Sequence, residues 1–373
     1  MKKRIFPLLL AALLLAGCSA YQSAEYLNVQ EHVDPFSYKE SETEAVDEPL
    51  TASTYYDLRS ALTTLMTEGT EHAEIQIVRY SGNLDNDLKR VVDYLTQTDP
   101  VGAYAIDYIN YEASATGEKT VVNFDLVYRR SASEIAAIRS VRGNDQADQI
   151  LYTALEEFAP SITLQISGYT DENFEETIRS YCLYHPDKTA FCETVSVSVY
   201  PQSGNVRVVE FHFSYDKPRD DLRATASDTA TALMSAYNYM RYAETPRERA
   251  TLALSYLAGR FEYEQSEDAT VYSLLCEGTA NCTVVSSAFA FLCKNADIPC
   301  YIVEGTKYEQ PYTWVMIEID ATWLHVDISD AVFREDRTLV LKTDVEMSAF
   351  TWEQEEYPVC DGIPIDDELQ PAT

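Results

Sequence analysis

Basic residues are scarce in this chain, and that scarcity limits its partners. Only 28 lysines and arginines stand against 61 aspartates and glutamates, so the formal net charge is −33 at pH 7. A protein that binds nucleic acid needs a basic face to meet the phosphates. We therefore exclude nucleic acid as a partner. The same charge disfavours docking on anionic lipid and is typical of a soluble, self-repelling protein.

Histidine is also rare, and no two cysteines stand in C-x-x-C spacing. The sequence has 5 histidines, and His185 and His212 have no neighbours at the spacing of metal ligands. We interpret both as structural residues. The sequence predicts no metal site and no cofactor.

Long apolar runs are confined to the N-terminus, which reads "MKKRIFPLLLAALLLAGCSA". Basic residues precede a run too short to span a bilayer, a layout typical of a secretory signal. Its end, Leu15-Ala16-Gly17-Cys18, resembles a bacterial lipobox, which implies cleavage after residue 17 and lipidation of Cys18. Residues 1–17 are then a signal peptide and Cys18 anchors the protein to the extracytoplasmic face of a membrane. The alternative is an ordinary signal peptide that contains a cysteine.

Residues 18–52 lack sustained periodicity and are rich in acidic and hydroxyl side chains. Such a composition cannot bury enough apolar surface to become ordered, so we predict a disordered acidic tether. Seven cysteines remain after Cys18, and an odd number leaves at least one unpaired. Cys182 and Cys192 are near in sequence and are candidates for a disulfide, and Cys282 is the natural candidate for the unpaired thiol.

Two similar α/β units follow, which we place at 53–135 and 136–222. Each has a strand, a turn, an amphipathic helix and a hairpin. The alternating apolar residues of one hairpin strand, Val122 to Tyr128, match those from Val209 to Tyr215. Neither unit contains a catalytic constellation. Their many tyrosines form either a binding surface or ordinary strand material.

The segment 223–350 has a different pattern, and it contains "GTANCTVVSSAFAFLC". Asn281 can cap a helix that begins at Cys282, with Val285, Ala288, Phe289 and Leu292 on its buried face. A thiol in the first helical turn meets the positive end of the helix dipole, which favours thiolate. The alternative is a buried cysteine that acts as a small hydrophobic residue.

A short strand at 296–305 and a hairpin at 311–330 come next. This succession resembles the transglutaminase-like family, also called the transglutaminase core, over roughly 243–335. The matching positions are Gly278, Cys282, Ala296, Ile298, Pro299, Gly305, Trp314, Trp323, Val326 and Asp327.

The resemblance implies a papain-like fold with a Cys-His-Asp triad. The nucleophile corresponds to Cys282 and the carboxylate to Asp327, but the histidine position is occupied by Tyr312. Tyrosine, with a reference pKa of about 10, is a poor acceptor of a thiol proton at neutral pH. His325, two residues before Asp327, is a doubtful substitute base. We expect Tyr312, Trp314 and Asn281 to line the groove beside the cysteine.

Three functions remain open at this point. The first is a surface lipoprotein with a catalytically degenerate domain that binds a peptide, glycan or cell-wall fragment, or serves as a scaffold. The second is an active cysteine acyltransferase or peptidase that uses Cys282 with His325 and Asp327. The third is a structural spacer. The predicted fold class is α+β, with the two α/β units, the papain-like domain and an acidic tail at 351–373.

Overall fold

The computed structural model describes residues 49–117, 119–189, 194–335 and 337–362. The signal peptide, Cys18 and almost all of the predicted tether lie outside these residues, so those predictions remain predictions. From Leu50 onward the chain forms one compact unit. Helices and strands are mixed throughout, which confirms the predicted α+β class. Within the described part, no helix is both long and apolar enough to cross a membrane.

The first sheet has four strands in the order β1-β2-β4-β3, with β1 parallel to β2 and the other pairs antiparallel. Helices α1 and α2 pack on it and bury Leu58, Leu62, Leu88 and Val91 in one cluster with Phe124. Its elements are β1 (Thr51–Ala52), α1 (Tyr55–Thr67), β2 (His72–Ile77), α2 (Leu84–Gln97), α3 (Pro100–Ala105), β3 (Ile106–Thr116), β4 (Lys119–Tyr128) and α4 (Ala132–Ala136).

The second sheet has the order β5-β6-β8-β7 and the same combination of one parallel and two antiparallel pairs. Its elements are β5 (Arg139–Arg142), α5 (Gly143–Glu156), β6 (Ser161–Ser167), α6 (Phe174–Tyr184), β7 (Thr194–Tyr200) and β8 (Val206–Ser214). The predicted helix and hairpin of each unit are present. The first strand of each sheet was not predicted, because two or four residues are too few to show an alternating pattern.

The C-terminal part places helix α10 against an antiparallel sheet of order β13-β12-β11-β14. As predicted, Val285, Ala288, Phe289 and Leu292 of α10 are fully buried. The elements are α7 (Arg219–Met240), α8 (Pro246–Ala258), β9 (Glu264–Gln265), α9 (Val271–Cys276), β10 (Thr279–Ala280), α10 (Cys282–Asn295), β11 (Cys300–Lys307), β12 (Gln310–Ile319), β13 (Thr322–Val326), α11 (Ile328–Phe333) and β14 (Phe350–Thr351).

The segment that we expected to be an acidic tail is partly built into this sheet. β14 pairs with the end of β11, and Cys360 is fully buried. Cys276, Cys282, Cys293, Cys300 and Cys360 are free thiols. Cys182 is buried on α6, whereas Cys192 lies outside the described residues, so the proposed pair remains a prediction.

A buried ion pair joins the two sheet units. Arg130, just after β4, contacts Glu210 of β8 with an Nη2–Oε2 distance of 2.5 Å. Only 6% of the Glu210 side chain is exposed. Tyr104 donates a hydrogen bond to the same carboxylate at 3.3 Å, and the Arg130 guanidinium lies 4.9 Å from the Tyr104 ring centroid. This pair is costly to break, because the partner left behind is a buried charge.

We predict that Arg130→Met lowers the free energy of unfolding by about 3–5 kcal/mol, because Glu210 then remains buried without its cation. The double variant Arg130→Met/Glu210→Met should be less destabilised than Arg130→Met alone, since it buries no charge. Urea unfolding of the unaltered protein and the two variants measures this. A double variant at least as unstable as Arg130→Met would contradict the interpretation.

Candidate functional site

Cys282 begins helix α10 and is half-buried. Asn281 caps the helix as predicted, because its side-chain oxygen accepts a hydrogen bond from the Val284 amide at 3.0 Å. Ser329 of α11 donates a hydrogen bond to the Cys282 carbonyl oxygen at 3.3 Å. The start of α10 is therefore tied to the start of α11.

Two further hydrogen bonds hold α10 against β12. The hydroxyl oxygens of Thr283 and Thr313 are 3.0 Å apart, and Ser286 donates to the Thr313 carbonyl at 3.1 Å. Thr313 lies next to Tyr312 in the chain. These contacts consequently fix the helix that carries the thiol relative to the strand that carries the tyrosine.

Tyr312 is hydrogen-bonded to Asp327. Its hydroxyl donates a hydrogen bond to Asp327 Oδ1 at 2.8 Å. Burial raises the pKa of Tyr312 above its ordinary value, and the negative charge of Asp327 raises that pKa further. A negative charge on Cys282 would act in the same direction. Tyr312 therefore stays protonated at neutral pH, with its proton directed at the carboxylate.

Asp327 is held by three groups. Besides Tyr312, its Oδ1 accepts a hydrogen bond from the Asp330 amide at 3.2 Å, which caps α11. Its Oδ2 accepts from Lys307 Nζ at 2.6 Å. Only 7% of the Asp327 side chain is exposed, so the ammonium group compensates a charge that water barely reaches.

Lys307 was missed by the sequence analysis. Its Nζ lies 4.8 Å from the centroid of the Tyr312 ring and 5.2 Å from that of Phe350. The strand register explains its position, because Gly305 is directly opposite Tyr312 across the β11–β12 pair. Lys307, two residues further along β11, is therefore the diagonal neighbour on the same face. Finding it required the register, which the sequence pattern did not supply.

His325 belongs to a different cluster, because it is fully buried and contacts Trp314 on the same face of the sheet. Its Nδ1 accepts a hydrogen bond from Trp314 Nε1 at 2.9 Å, and its Nε2 lies 2.8 Å from Asp344 Oδ1. β13 ends at Val326, so Asp327 is a helix cap instead of a strand residue on the same face as His325. The two side chains share no hydrogen-bonding partner among those described.

Trp314, which we expected to line the groove, is fully buried. Its ring packs edge-on against Phe350 and Trp352, with centroid distances of 5.1 and 5.7 Å. Tyr312 and Trp314 share a face of β12, as strand alternation predicts. Trp314 is buried because the C-terminal residues around Phe350 cover it.

One cluster has the composition of a metal site. Donor atoms of His325, Asp344 and Cys360 lie within 4.8 Å of one another. An indole N–H can only donate, so the bond from Trp314 places the single proton of neutral His325 on Nε2, facing Asp344. A cation would need the lone pair of that nitrogen. The residues do not fit a metal in this arrangement.

A separate groove of about 950 Å³ lies along α5 and α6 and includes Lys294 of α10. Tyr152 and Tyr181 stack in it with their centroids 3.9 Å apart. Glu156 accepts hydrogen bonds from Tyr181 and Lys188. Tyr152 and Tyr181 thus contact each other, and Tyr181 also contacts Glu156. The lining of this groove does not include Cys282, Tyr312 or Asp327.

Comparison with known proteins identifies the domain around the cysteine. The family model of the transglutaminase-like superfamily matches residues 234–328. No sequence among the curated proteins matches the chain.

Three solved structures are similar at low identity. A TGase crystal structure is 11% identical with a TM-score of 0.25, over 76% of this chain and 59% of that one. A proposed protease from Parabacteroides distasonis is 7% identical with a TM-score of 0.22, over 68% and 39% of the two chains. A proposed cysteine protease from Cytophaga hutchinsonii is 14% identical with a TM-score of 0.24, over 43% and 74%. The chain thus spans less than two thirds of the first two structures.

The matched range includes Cys282, Tyr312 and Asp327, and a hydrogen bond joins Tyr312 to Asp327. The chain contains a transglutaminase-like domain.

Proposed function

We propose that this protein is a lipid-anchored, extracytoplasmic lipoprotein whose transglutaminase-like domain has lost catalysis. In this proposal the surface beside Cys282 binds a peptide, glycan or cell-wall fragment. The anchor is argued from the sequence around Cys18, and the loss of catalysis from the geometry around Tyr312.

The hydrogen bond from Tyr312 to Asp327 carries the proposal. A cysteine nucleophile needs a neighbouring base that takes its proton and later protonates the leaving group. A phenol that directs its proton at a carboxylate offers neither function at neutral pH. Loss of one triad member costs several orders of magnitude in rate.

The other basic groups nearby support the same conclusion. Lys307 is ion-paired with Asp327 at 2.6 Å, and an ammonium group has no lone pair to accept a proton. Both ring nitrogens of His325 are engaged, one by Trp314 and one by Asp344. An active enzyme that used His325 as its base would require both of these bonds to be replaced.

We predict that the unaltered protein cleaves peptide and isopeptide substrates, or transfers acyl groups, no faster than Cys282→Ala. The reason is that no group at the site can activate the thiol. Release of amine from a fluorogenic substrate library measures it. Turnover in the unaltered protein that disappears in Cys282→Ala would sink the proposal.

We predict that Tyr312→His increases alkylation of Cys282 by iodoacetamide at neutral pH by about tenfold or more, because imidazolium stabilises the thiolate. Mass spectrometry of the peptide that contains Cys282 separates it from the other thiols. Tyr312→Phe is the matched control, since it removes the hydroxyl without adding a base, and it should leave the rate unchanged. Equal alkylation rates in Tyr312→His and Tyr312→Phe would contradict the prediction and show that supplying an imidazole at this position does not activate Cys282.

The anchor has its own test. We predict that the unaltered protein partitions into the detergent phase of a membrane extract, whereas Cys18→Ser remains in the aqueous phase, because only a lipidated cysteine carries acyl chains. Metabolic labelling with a fatty-acid analogue should mark the unaltered protein alone. Labelling of Cys18→Ser would contradict the assignment of Cys18 as the lipidation site.

A further inference from the structure

The chain after α11 returns across the sheet as a segment of residues 342–360, which we call the C-terminal strap. His325 and Lys342 exchange two backbone hydrogen bonds, at 2.8 and 2.9 Å. β14, within the strap, pairs with Thr306 and Lys307 of β11. The strap thereby covers the edge of the sheet that carries Lys307.

One side-chain network joins the strap to the sheet. Neutral His325 donates a hydrogen bond from Nε2 to Asp344 Oδ1 at 2.8 Å, and its Nδ1 accepts from Trp314. Asp344 Oδ2 accepts from the Cys360 amide at 3.1 Å, while the Asp344 amide donates to the Cys360 carbonyl at 2.9 Å. Both ends of the strap are therefore held through the one histidine.

This network tolerates only the neutral imidazole. A second proton would have to bind Nδ1, where the indole N–H of Trp314 already points, so two donors would face each other. The charged and titratable groups around the ring are Asp344, Cys360 and Lys342, all from the strap. The tryptophans that pack on the ring, Trp314 and Trp352, carry no charge.

The pKa of His325 is lowered from its ordinary value, mainly because the ring is buried. The charge of Lys342 lowers this pKa too, while Asp344 acts in the opposite direction. Because burial lowers this pKa, His325 in the released state takes up its proton at a higher pH than His325 in the latched state. The contribution of His325 to holding the strap is complete above about pH 6.5 and is lost as the pH falls from there towards the lowered pKa.

We propose that His325 is a pH-sensitive latch: neutral, it holds the C-terminal strap on the sheet, and protonated, it releases the strap. The strap carries Phe350, whose ring centroid lies 5.9 Å from that of Tyr312 and 5.2 Å from Lys307 Nζ. Release uncovers Tyr312 and Lys307, whose side chains both contact Asp327. Mild acid thus opens the surface beside Cys282. The latch does not depend on whether Cys282 is catalytic.

Hydrogen exchange measured by mass spectrometry tests the latch on the whole protein. Between about pH 7.5 and about pH 5, after correction for intrinsic exchange rates, protection of peptides from the strap should fall. The largest possible fall is set by the gap between the ordinary pKa of histidine and the lowered pKa of latched His325, at about tenfold for each pH unit of that gap. Tyr308 directly follows β11, and its amide donates a hydrogen bond to the Ala349 carbonyl of the strap at 2.9 Å, so exchange of this amide reports the same opening. Unchanged strap protection across this range overturns the proposal.

Three variants separate the latch from a general effect of acid. His325→Gln should abolish the pH dependence of strap protection, whereas a response equal to that of the unaltered protein overturns the proposal. Asp344→Asn keeps an acceptor oxygen but removes the charge that favours imidazolium, which lowers the pKa of latched His325 further, so the fall in strap protection between about pH 7.5 and about pH 5 should be larger than in the unaltered protein. If His325→Gln does not fold, Asp344→Asn decides, and a fall no larger than that of the unaltered protein overturns the latch. His72→Gln is the control, because His72 is exposed and pairs only with Asp125, and it should respond like the unaltered protein.

Discussion

The hydrogen bond between Tyr312 and Asp327 is the contact on which the rest of the site depends. This bond joins β12 to Asp327, the residue that caps α11. Ser329 of α11 in turn donates a hydrogen bond to the Cys282 carbonyl. Tyr312, Asp327 and the start of α10 are thereby joined through hydrogen bonds. A phenol bonds the carboxylate but, with a reference pKa of about 10, is a poor acceptor of a thiol proton at neutral pH.

Lys307 compensates the buried charge of Asp327. A carboxylate that is only 7% exposed needs compensation, and the ammonium group supplies it at 2.6 Å. The same side chain lies against the rings of Tyr312 and Phe350, whose faces attract a cation. The carboxylate of Asp327 is thereby both charge-compensated and hydrogen-bonded.

His325 and the C-terminal strap form a second polar network, on the same face of the sheet as Trp314. It is connected to the first only through packing, because Phe350 touches Tyr312 while Trp314 contacts both Phe350 and His325. A buried network of this kind specifies one arrangement strongly, because each donor and acceptor has a single partner. It accounts for the burial of Trp314 and for the ordered position of residues that look like an acidic tail in the sequence.

Local patterns were enough to predict several features. The capped helix at Cys282 follows from an asparagine before an apolar repeat, and both hairpins of the α/β units follow from alternation around a turn. These signals are short-range, since they depend on residues a few positions apart. The match of residues 234–328 to a transglutaminase-like domain likewise reflects spacing within one stretch of sequence.

The tertiary structure decided the partners of each polar side chain. Lys307 reaches Asp327, 20 residues away, only because β11 and β12 pair in a register that places it beside Tyr312. His325 turns towards Asp344 instead of the cysteine because β13 ends one residue later and the strap supplies a carboxylate acceptor. Which partner a side chain meets depends on strand register and on which segment returns over the sheet, and neither is encoded in the residues next to it.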